Sequence, residues 1–348
     1  MKHIHIGHHF FGSGNLGDDF MMAGFLNGMG KANVHYTCCV PYELGPLKKR
    51  FPEIEWLPYN ISSRSNAITS CDAWLGLGGS PFQSAVSDWF TTHLCEEASA
   101  CKKAQKPMYF MGIGGQDEDA YTNPSLIAVI EQAKAIWTRD LVTFKLLKKH
   151  LNSTTALSES SDLSHIYFNS VVMPKPIPGR LAACLNFDYK PWNNLQPTIT
   201  TLSKEISFKE KLWIVQESRP LPEAEHSLYS QLSPEEQKQW KFTTLSRPEI
   251  SIQGLMSSWP SSEWTLSSRF HTAIASAWAG SKTVVIDTNL KLRGIAEELN
   301  LPCLSLNCEP ADILTTLKAA KTSSSEQLQF HAKRAEAAVH TFVKLIGV

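Results

Sequence analysis

The sequence predicts an α/β protein of two domains, and three observations predict it. Strand-like and helix-like segments alternate from the first residues onward, the pattern of parallel sheets covered by helices. A proline-rich stretch interrupts the alternation in mid-chain, and the same alternation resumes beyond it. At 348 residues the chain is too long for one ordinary core and suits two.

In the first series, strands are predicted at His3–Ile6, Val34–Val40, Ala73–Leu77, Met108–Met111 and Ala135–Thr138. Helices are predicted over Phe20–Met29, Ser87–Ala104 and Ser125–Lys134. Each strand runs into Gly, Pro or a polar turn, as βα units do. The linker is Met173–Gly179, where Pro174, Pro176 and Pro178 cannot continue a helix or a central strand. The second series has strands at Leu181–Phe187, Leu212–Val215, Lys241–Leu245, Trp264–Ser267 and Thr283–Asp287. Ser323–Ile346 reads as one long helix. The expected organisation is two Rossmann-like domains facing across a cleft, residues 1–175 and 176–322, with a long C-terminal helix over 323–348.

Composition narrows the function classes. Apolar residues make up 43% and charged residues 19%, as in globular chains. Lys+Arg and Asp+Glu both count 33, which speaks against a general nucleic-acid or membrane-surface binder. No apolar run reaches the ~18–20 residues of a membrane span. The start, Met1–Gly7, reads as a strand rather than a signal peptide. Eight cysteines show no Cys-x-x-Cys spacing, so free thiols in a reducing cytoplasm are expected.

Gly12-Ser13-Gly14-Asn15-Leu16-Gly17 matches Gly-x-Gly-x-x-Gly between a strand and a helix, the dinucleotide fingerprint. Three details oppose that reading. His8–Phe11 separate strand from glycine, Asp18 and Asp19 stand where a pyrophosphate would sit, and no acidic residue ends the second strand. Two readings of Asp18 or Asp19 stay open: a helix N-cap, or a carboxylate that accepts a hydroxyl proton from a sugar-like acceptor. Two further loops, Gly76-Leu77-Gly78-Gly79-Ser80 and Gly112-Ile113-Gly114-Gly115, also follow strands. All three fall where open α/β sheets bind ligands.

The second half carries cations at helix starts. Ser268 is the expected N-cap of a helix opening Arg269-Phe270-His271, which puts two cationic types in a first turn. The helix dipole disfavours them there, and an anion bound against the free N–H groups would explain them. Lys291 and Arg293 repeat the arrangement, and Arg139 follows the strand Ala135–Thr138. Convergence of Arg139, Arg269, His271 and Lys291 would suit a ligand with more than one negative charge. Against it, Arg139 has Asp140 as a neighbour to pair with, and Lys291 with Arg293 would also serve as a solvated face.

His3, His5 and His8-His9 lack an acidic or cysteine partner at ligand spacing, so they read as core and loop residues, and no metal is expected. Trp74, Trp137 and Trp213 lie in strands and read as core. Trp89, Trp192 and Trp259 stand in less regular settings that could offer sugar-stacking platforms. The run Glu205–Lys211 reads as a solvated face.

Taken in order, these motifs resemble the polysaccharide pyruvyl transferase family. The resemblance rests on Phe11–Asp19, Gly76–Ser80, Gly112–Gly114, Thr138-Arg139-Asp140, Ser267–His271 and Lys291–Gly294, spanning Ile4 to Leu301. It implies a GT-B-like fold, phosphoenolpyruvate as donor and co-substrate, a pyruvyl ketal formed on a sugar, and no metal or nucleotide cofactor. The acceptor would be a saccharide of a surface polysaccharide or its precursor, lipid- or nucleotide-linked, bound on the N-terminal side with the donor on the C-terminal side. Arg269, Arg139 and Lys291, with Ser268 and Arg293, would hold the donor. His271 would be the general acid/base, with Asp18 or Asp19 also catalytic. Asn15, Gly14, Gly17, Gly78, Gly79, Ser80 and Gly114 would form the acceptor loops. Two alternatives compete. One is a GT-B-type glycosyltransferase using a nucleotide sugar, which needs a carboxylate for the ribose, Glu297 and Glu298 being candidates. The other is a non-catalytic sugar-binding member of the fold.

Overall fold

The computed structural model describes residues 1–8, 10–83, 89–115, 118–151, 155–186, 192–218, 224–245, 247 and 250–348. The chain divides into two compact α/β units. One comprises Met1–Ser13, Asp18–Tyr167 and Phe330–Val348; the other comprises Gly14–Gly17 and Phe168–Gln329. Among the described residues no helix is long and apolar enough to cross a membrane.

The N-terminal unit contains strands β1 (Lys2–Ile6), β2 (Val34–Val40), β3 (Ile54–Pro58), β4 (Ala73–Leu77), β5 (Met108–Ile113), β6 (Ala135–Thr138) and β7 (Ala156–Glu159). They form one sheet in the order β3-β2-β1-β4-β5-β6-β7, every pairing parallel. β4 and β5 are buried along their whole length, which is why they read as near-continuous apolar runs. Trp74, Met108, Phe110 and Ile136 pack there with Leu126, Val129 and Ile130 of the helix Pro124–Gln132.

The other unit contains β8 (Ile177–Cys184), β9 (Glu210–Val215), β10 (Lys241–Thr244), β11 (Ser262–Ser267), β12 (Lys282–Asp287) and β13 (Cys303–Ser305), in the order β10-β9-β8-β11-β12-β13. These pairings are also all parallel. Alternate residues Leu181, Ala183, Leu185 and Trp213, Val215 face one way into the core. Leu195, Ile199 and Leu202 of the helix Leu195–Lys204 cover them, with Ile313 and Leu317 of the helix Pro310–Ala319.

The two sheets and the long helix Ser325–Ile346 agree with the α/β reading. Several expectations are corrected. The expected linker runs into β8, which begins at Ile177 and includes Pro178 and Gly179. Proline is tolerated there because pairing with β9 starts only at Arg180. The strands β3, β7 and β13 lie at sheet edges and had no counterpart in the reading. The helix placed at Ser87–Ala104 spans Trp89–Lys103; Ser87, the Trp89 side chain, His9 and Phe187 lie outside what is described. Trp74, Trp137 and Trp213 are core, and so are Trp192 and Trp259, at 4% and 5% exposure, which removes them as sugar platforms. Lys211 is no part of a solvated face: it is buried, and its Nζ donates to the Ser203 carbonyl at 2.9 Å. All eight cysteines are free thiols.

Candidate functional site

Strand order locates the ligand-binding edge of each sheet. A chain that adds strands first on one side and then on the other leaves a crevice at the carboxyl ends where the order reverses. In the second sheet that point falls at β8 and β11, in the first at β1 and β4.

At the β8–β11 point the strand ends are tied together. The Ser268 N–H donates to the Cys184 carbonyl at 3.0 Å, and the Asn186 N–H donates to the Ser268 hydroxyl oxygen at 2.7 Å. The Ser268 hydroxyl lies 2.9 and 2.8 Å from the Asn186 backbone and side-chain oxygens. Ser268 therefore ties loop to loop and is not the N-cap expected of it: the helix runs Phe270–Trp278, and Arg269 takes the cap position without capping the helix through its side chain.

Arg269 is also not a free cation. Its Nε donates to Glu225 Oε1 at 2.6 Å and its Nη2 to Oε2 at 3.3 Å, a two-pronged pair with a fully buried carboxylate. Burial opposes the guanidinium charge, but Glu225 outweighs it and, with Glu217, raises the Arg269 pKa. Beside this pair, burial and then Glu225 push the Cys184 thiol well up. Arg293 is likewise taken, its Nε and Nη2 donating to Asp287 Oδ2 at 2.9 and 2.6 Å. Lys291 lies half-buried in the first turn of the helix Leu290–Glu298, whose cap is Asn289.

His271 is buried in the first turn of its helix. A Cβ at Gly17 would overlap its ring, standing 2.7 Å from Cγ and 2.9 Å from Cε1. Only glycine allows that approach. The segment Gly14–Gly17 lies along the end of β9. The Ser218 N–H donates to the Gly14 carbonyl at 3.1 Å, the Leu16 N–H donates to the Gln216 carbonyl at 3.3 Å, and Asn15 bridges Glu217 in antiparallel fashion. Asn15 Oδ1 accepts from Gln216 Nε2 at 2.9 Å and from the Gly17 N–H at 3.0 Å. Asn15 thus caps the helix Leu16–Met29, the place offered above to Asp18 or Asp19.

In the N-terminal unit, Asp18 and Asp19 are buried in that helix's first turn. Asp19 pairs with Arg50; burial raises its pKa to about 6, with Arg50 working in the opposite direction. Around β4, Gly78 and Gly79 adopt φ of 64° and 76°, and the Gly114 N–H donates to the Gly79 carbonyl at 2.9 Å. Arg139 lies over Gly114, where a Cβ would stand 2.8 Å from its Cζ, and its Nη2 donates to the Ser80 hydroxyl at 2.9 Å. Its nitrogens approach Asp140 at 3.7 Å and Asp162 at 3.9 Å. Burial raises the Asp140 pKa although Arg139 opposes the shift.

The structure thus gathers His271, Arg269, Ser268, Asn15, Gly14 and Gly17 in one unit and Arg139, Ser80, Gly78, Gly79, Gly114, Asp18 and Asp19 in the other. Missing from the sequence reading were Glu225, Gln216, Glu217, Asn186 and Thr272. Gln216 and Glu217 directly follow the apolar run of β9, the position where strand-end residues meet ligands, and that signal was readable. Among the described residues no cluster could hold a metal ion.

In sequence, neither a family model nor a characterised protein matches the chain. In structure the whole chain is matched. Anabaena HepE in complex with UDP superposes with a TM-score of 0.62 at 9% identity, covering 100% of both chains. UDP-GlcNAc 2-epimerase from Methanocaldococcus jannaschii gives 0.62 at 11%, covering 99% of this chain and 100% of its own. The Neisseria meningitidis epimerase bound to UDP-GlcNAc gives 0.61 at 12%, with the same coverage. The fold is GT-B-like. Pyruvyl transfer from phosphoenolpyruvate is thereby corrected: the neighbours are named for UDP and UDP-sugars. The cations that suggested a doubly acidic donor are also occupied, Arg269 by Glu225 and Arg293 by Asp287.

Proposed function

We propose that the chain is a GT-B-type enzyme acting on a nucleotide sugar, with a UDP-sugar as the substrate class. The observation that carries this reading is the chemistry at the β8–β11 switch point. There the buried groups are carboxylates and amides, Glu217, Glu225, Asn186 and Gln216, beside the buried imidazole of His271. Hydroxyl-rich ligands are recognised by carboxylate and amide oxygens, and a diphosphate is held by N–H groups at a helix start such as that of Phe270–Trp278. The GT-B-like fold shared with UDP-sugar proteins supports the same class.

In this reading the sugar C1–oxygen bond to the diphosphate breaks, and UDP leaves with the bonding electrons. An acceptor hydroxyl oxygen bonds to C1 and His271 takes its proton. Glu217 accepts hydrogen bonds from ligand hydroxyls. Isothermal titration with UDP, UDP-glucose, UDP-GlcNAc and ADP-glucose tests the proposal. Binding of the uridine compounds in the micromolar range, weakened at least tenfold by Glu217→Ala, is expected. Absence of heat with every uridine compound at millimolar concentration refutes it.

A further inference from the structure

A side-chain relay in the C-terminal unit joins the glycine-rich segment to the helix that carries His271. Gln216 stands just beyond β9 and is buried. Its Nε2 donates to Asn15 Oδ1 at 2.9 Å, and its Oε1 accepts from the Thr272 hydroxyl at 2.7 Å. Both ends of the amide are therefore used, and its orientation is fixed because the donor must face Asn15 and the acceptor Thr272. Asn15 Oδ1 also accepts from the Gly17 N–H at 3.0 Å, so the amide and the first turn of the helix share one oxygen. Thr272 is the residue next to His271, and Gly17 is the residue whose missing side chain leaves room for the His271 ring. One amide thus connects the two surfaces that confine the imidazole.

We propose that Gln216 is a positioning residue. It holds Asn15–Gly17 against His271 and the Thr272 turn, and so sets the orientation in which the imidazole is presented. The catalytic meaning of that orientation rests on the nucleotide-sugar reading; the positioning does not. The relay needs a group that donates at one end and accepts at the other. Glutamine does both, whereas ionised glutamate only accepts and would set two oxygens against each other at Asn15. The burial of Gln216 at 3% exposure makes a mismatch costly, because water does not replace the lost partner.

The test uses the full chain without substrate, so its outcome is independent of whether UDP-sugars bind. Amide hydrogen exchange of Leu16 and Gly17 and the NMR titration of the His271 ring are measured in the wild type, Gln216→Ala, Gln216→Glu and Thr272→Val. Gln216→Ala should speed exchange at Leu16 and Gly17 about tenfold, as expected for losing hydrogen bonds worth about 1 kcal/mol each. It should also shift the His271 titration, while core amides of β11 keep their protection. Gln216→Glu should show fast exchange at pH 8 and recovered protection at pH 5, where a protonated carboxyl donates to Asn15 again. Each comparison is made against the wild type at the same pH, so Glu217, Glu225, Arg269 and Cys184, common to both proteins, cancel, and His271 is followed directly by its ring resonances. Thr272→Val, which removes one donor and keeps the shape, should shift His271 without unfolding the chain. Unchanged exchange and an unchanged His271 titration in Gln216→Ala overturn the proposal. If that variant fails to fold, wild-type behaviour of both Gln216→Glu and Thr272→Val overturns it equally. UDP binding lost with the relay intact counts against the substrate reading alone.

Discussion

Replacing Gly17 by alanine puts a methyl group where the His271 ring stands. The new carbon would lie 2.7 Å from Cγ and 2.9 Å from Cε1, against about 3.5 Å for carbon atoms in contact. The ring must retreat by roughly 1 Å or turn off its rotamer, at about 0.5–1.5 kcal/mol. Retreat is hindered on another side, where the Phe270 ring packs edge-on at 5.1 Å between centroids. Helix propensity works the other way, since Ala is better than Gly inside a helix by roughly 1 kcal/mol. The melting temperature should therefore change little, whereas a misplacement of about 1 Å at a reacting group costs roughly a hundredfold in rate. The assay is turnover of UDP-glucose or UDP-GlcNAc, read as UDP release, alongside UDP affinity and the His271 ring resonances. Turnover should fall about a hundredfold, UDP affinity should stay within threefold, and the His271 resonances should move. Wild-type turnover with unmoved resonances would refute the claim that Gly17 sets the imidazole's place.

Arg269→Ala strands the fully buried Glu225 carboxylate, which should cost about 3–5 kcal/mol in urea unfolding; adding Glu225→Gln should recover most of it, and a loss below 1 kcal/mol would contradict the ion-pair assignment. A Cβ at Gly24 would stand 2.6 Å from the Leu163 carbonyl carbon, backbone that cannot swing aside, so Gly24→Ala should destabilise by about 1–3 kcal/mol or more. The folded state holds the Asp19 proton more tightly than the unfolded chain, with a pKa of about 6 against an ordinary 3.8. Its contribution is full below pH 4 and gone above pH 6, so between those values the wild type should lose about 3 kcal/mol relative to Asp19→Asn. His5 and His93, both lowered to about 3 mainly by burial, act in the opposite direction; they are common to both proteins and cancel in the comparison.

Ala73–Leu77 could be read from sequence because burial on both faces demands an apolar run, and Val34–Val40 and Ala135–Thr138, mostly apolar and ended by turn residues, also lie where the pattern put them. β3, β7 and β13 were missed at sheet edges, where a strand buries less, as the exposure of Ala156–Glu159 shows, although the edge strand β10 was read at Lys241–Leu245. At the site, glycine spacing marked Gly14 and Gly17 only as residues of an acceptor loop, and nothing in it shows that side chains approach them closely. Ser218 and His271 do so from more than 200 residues away in the chain. The cations at Arg269 and Arg293 were visible; Asp287 stands six residues before Arg293, but the partner of Arg269 was out of sight. Glu225 is 44 positions from Arg269, and a pairing of that span comes from the sheet order rather than from any local pattern. Reading those cations as free was the step that led to an acidic donor.

Residues Phe330–Val348 belong to the first unit, not to the one that precedes them in sequence. There His331 meets the Ser161 hydroxyl at 2.9 Å, Arg334 pairs with Glu159 at 2.5 Å, and Phe342 packs against Tyr109 and Trp137. During synthesis the ribosome therefore releases every strand of the first sheet long before the piece that finishes its core. The second unit, whose core takes in Ile313, Leu317 and Ala320, is complete before that piece is made. Completion of the first core thus waits until the second unit has been made, against the amino-end-first order usual for two-domain chains.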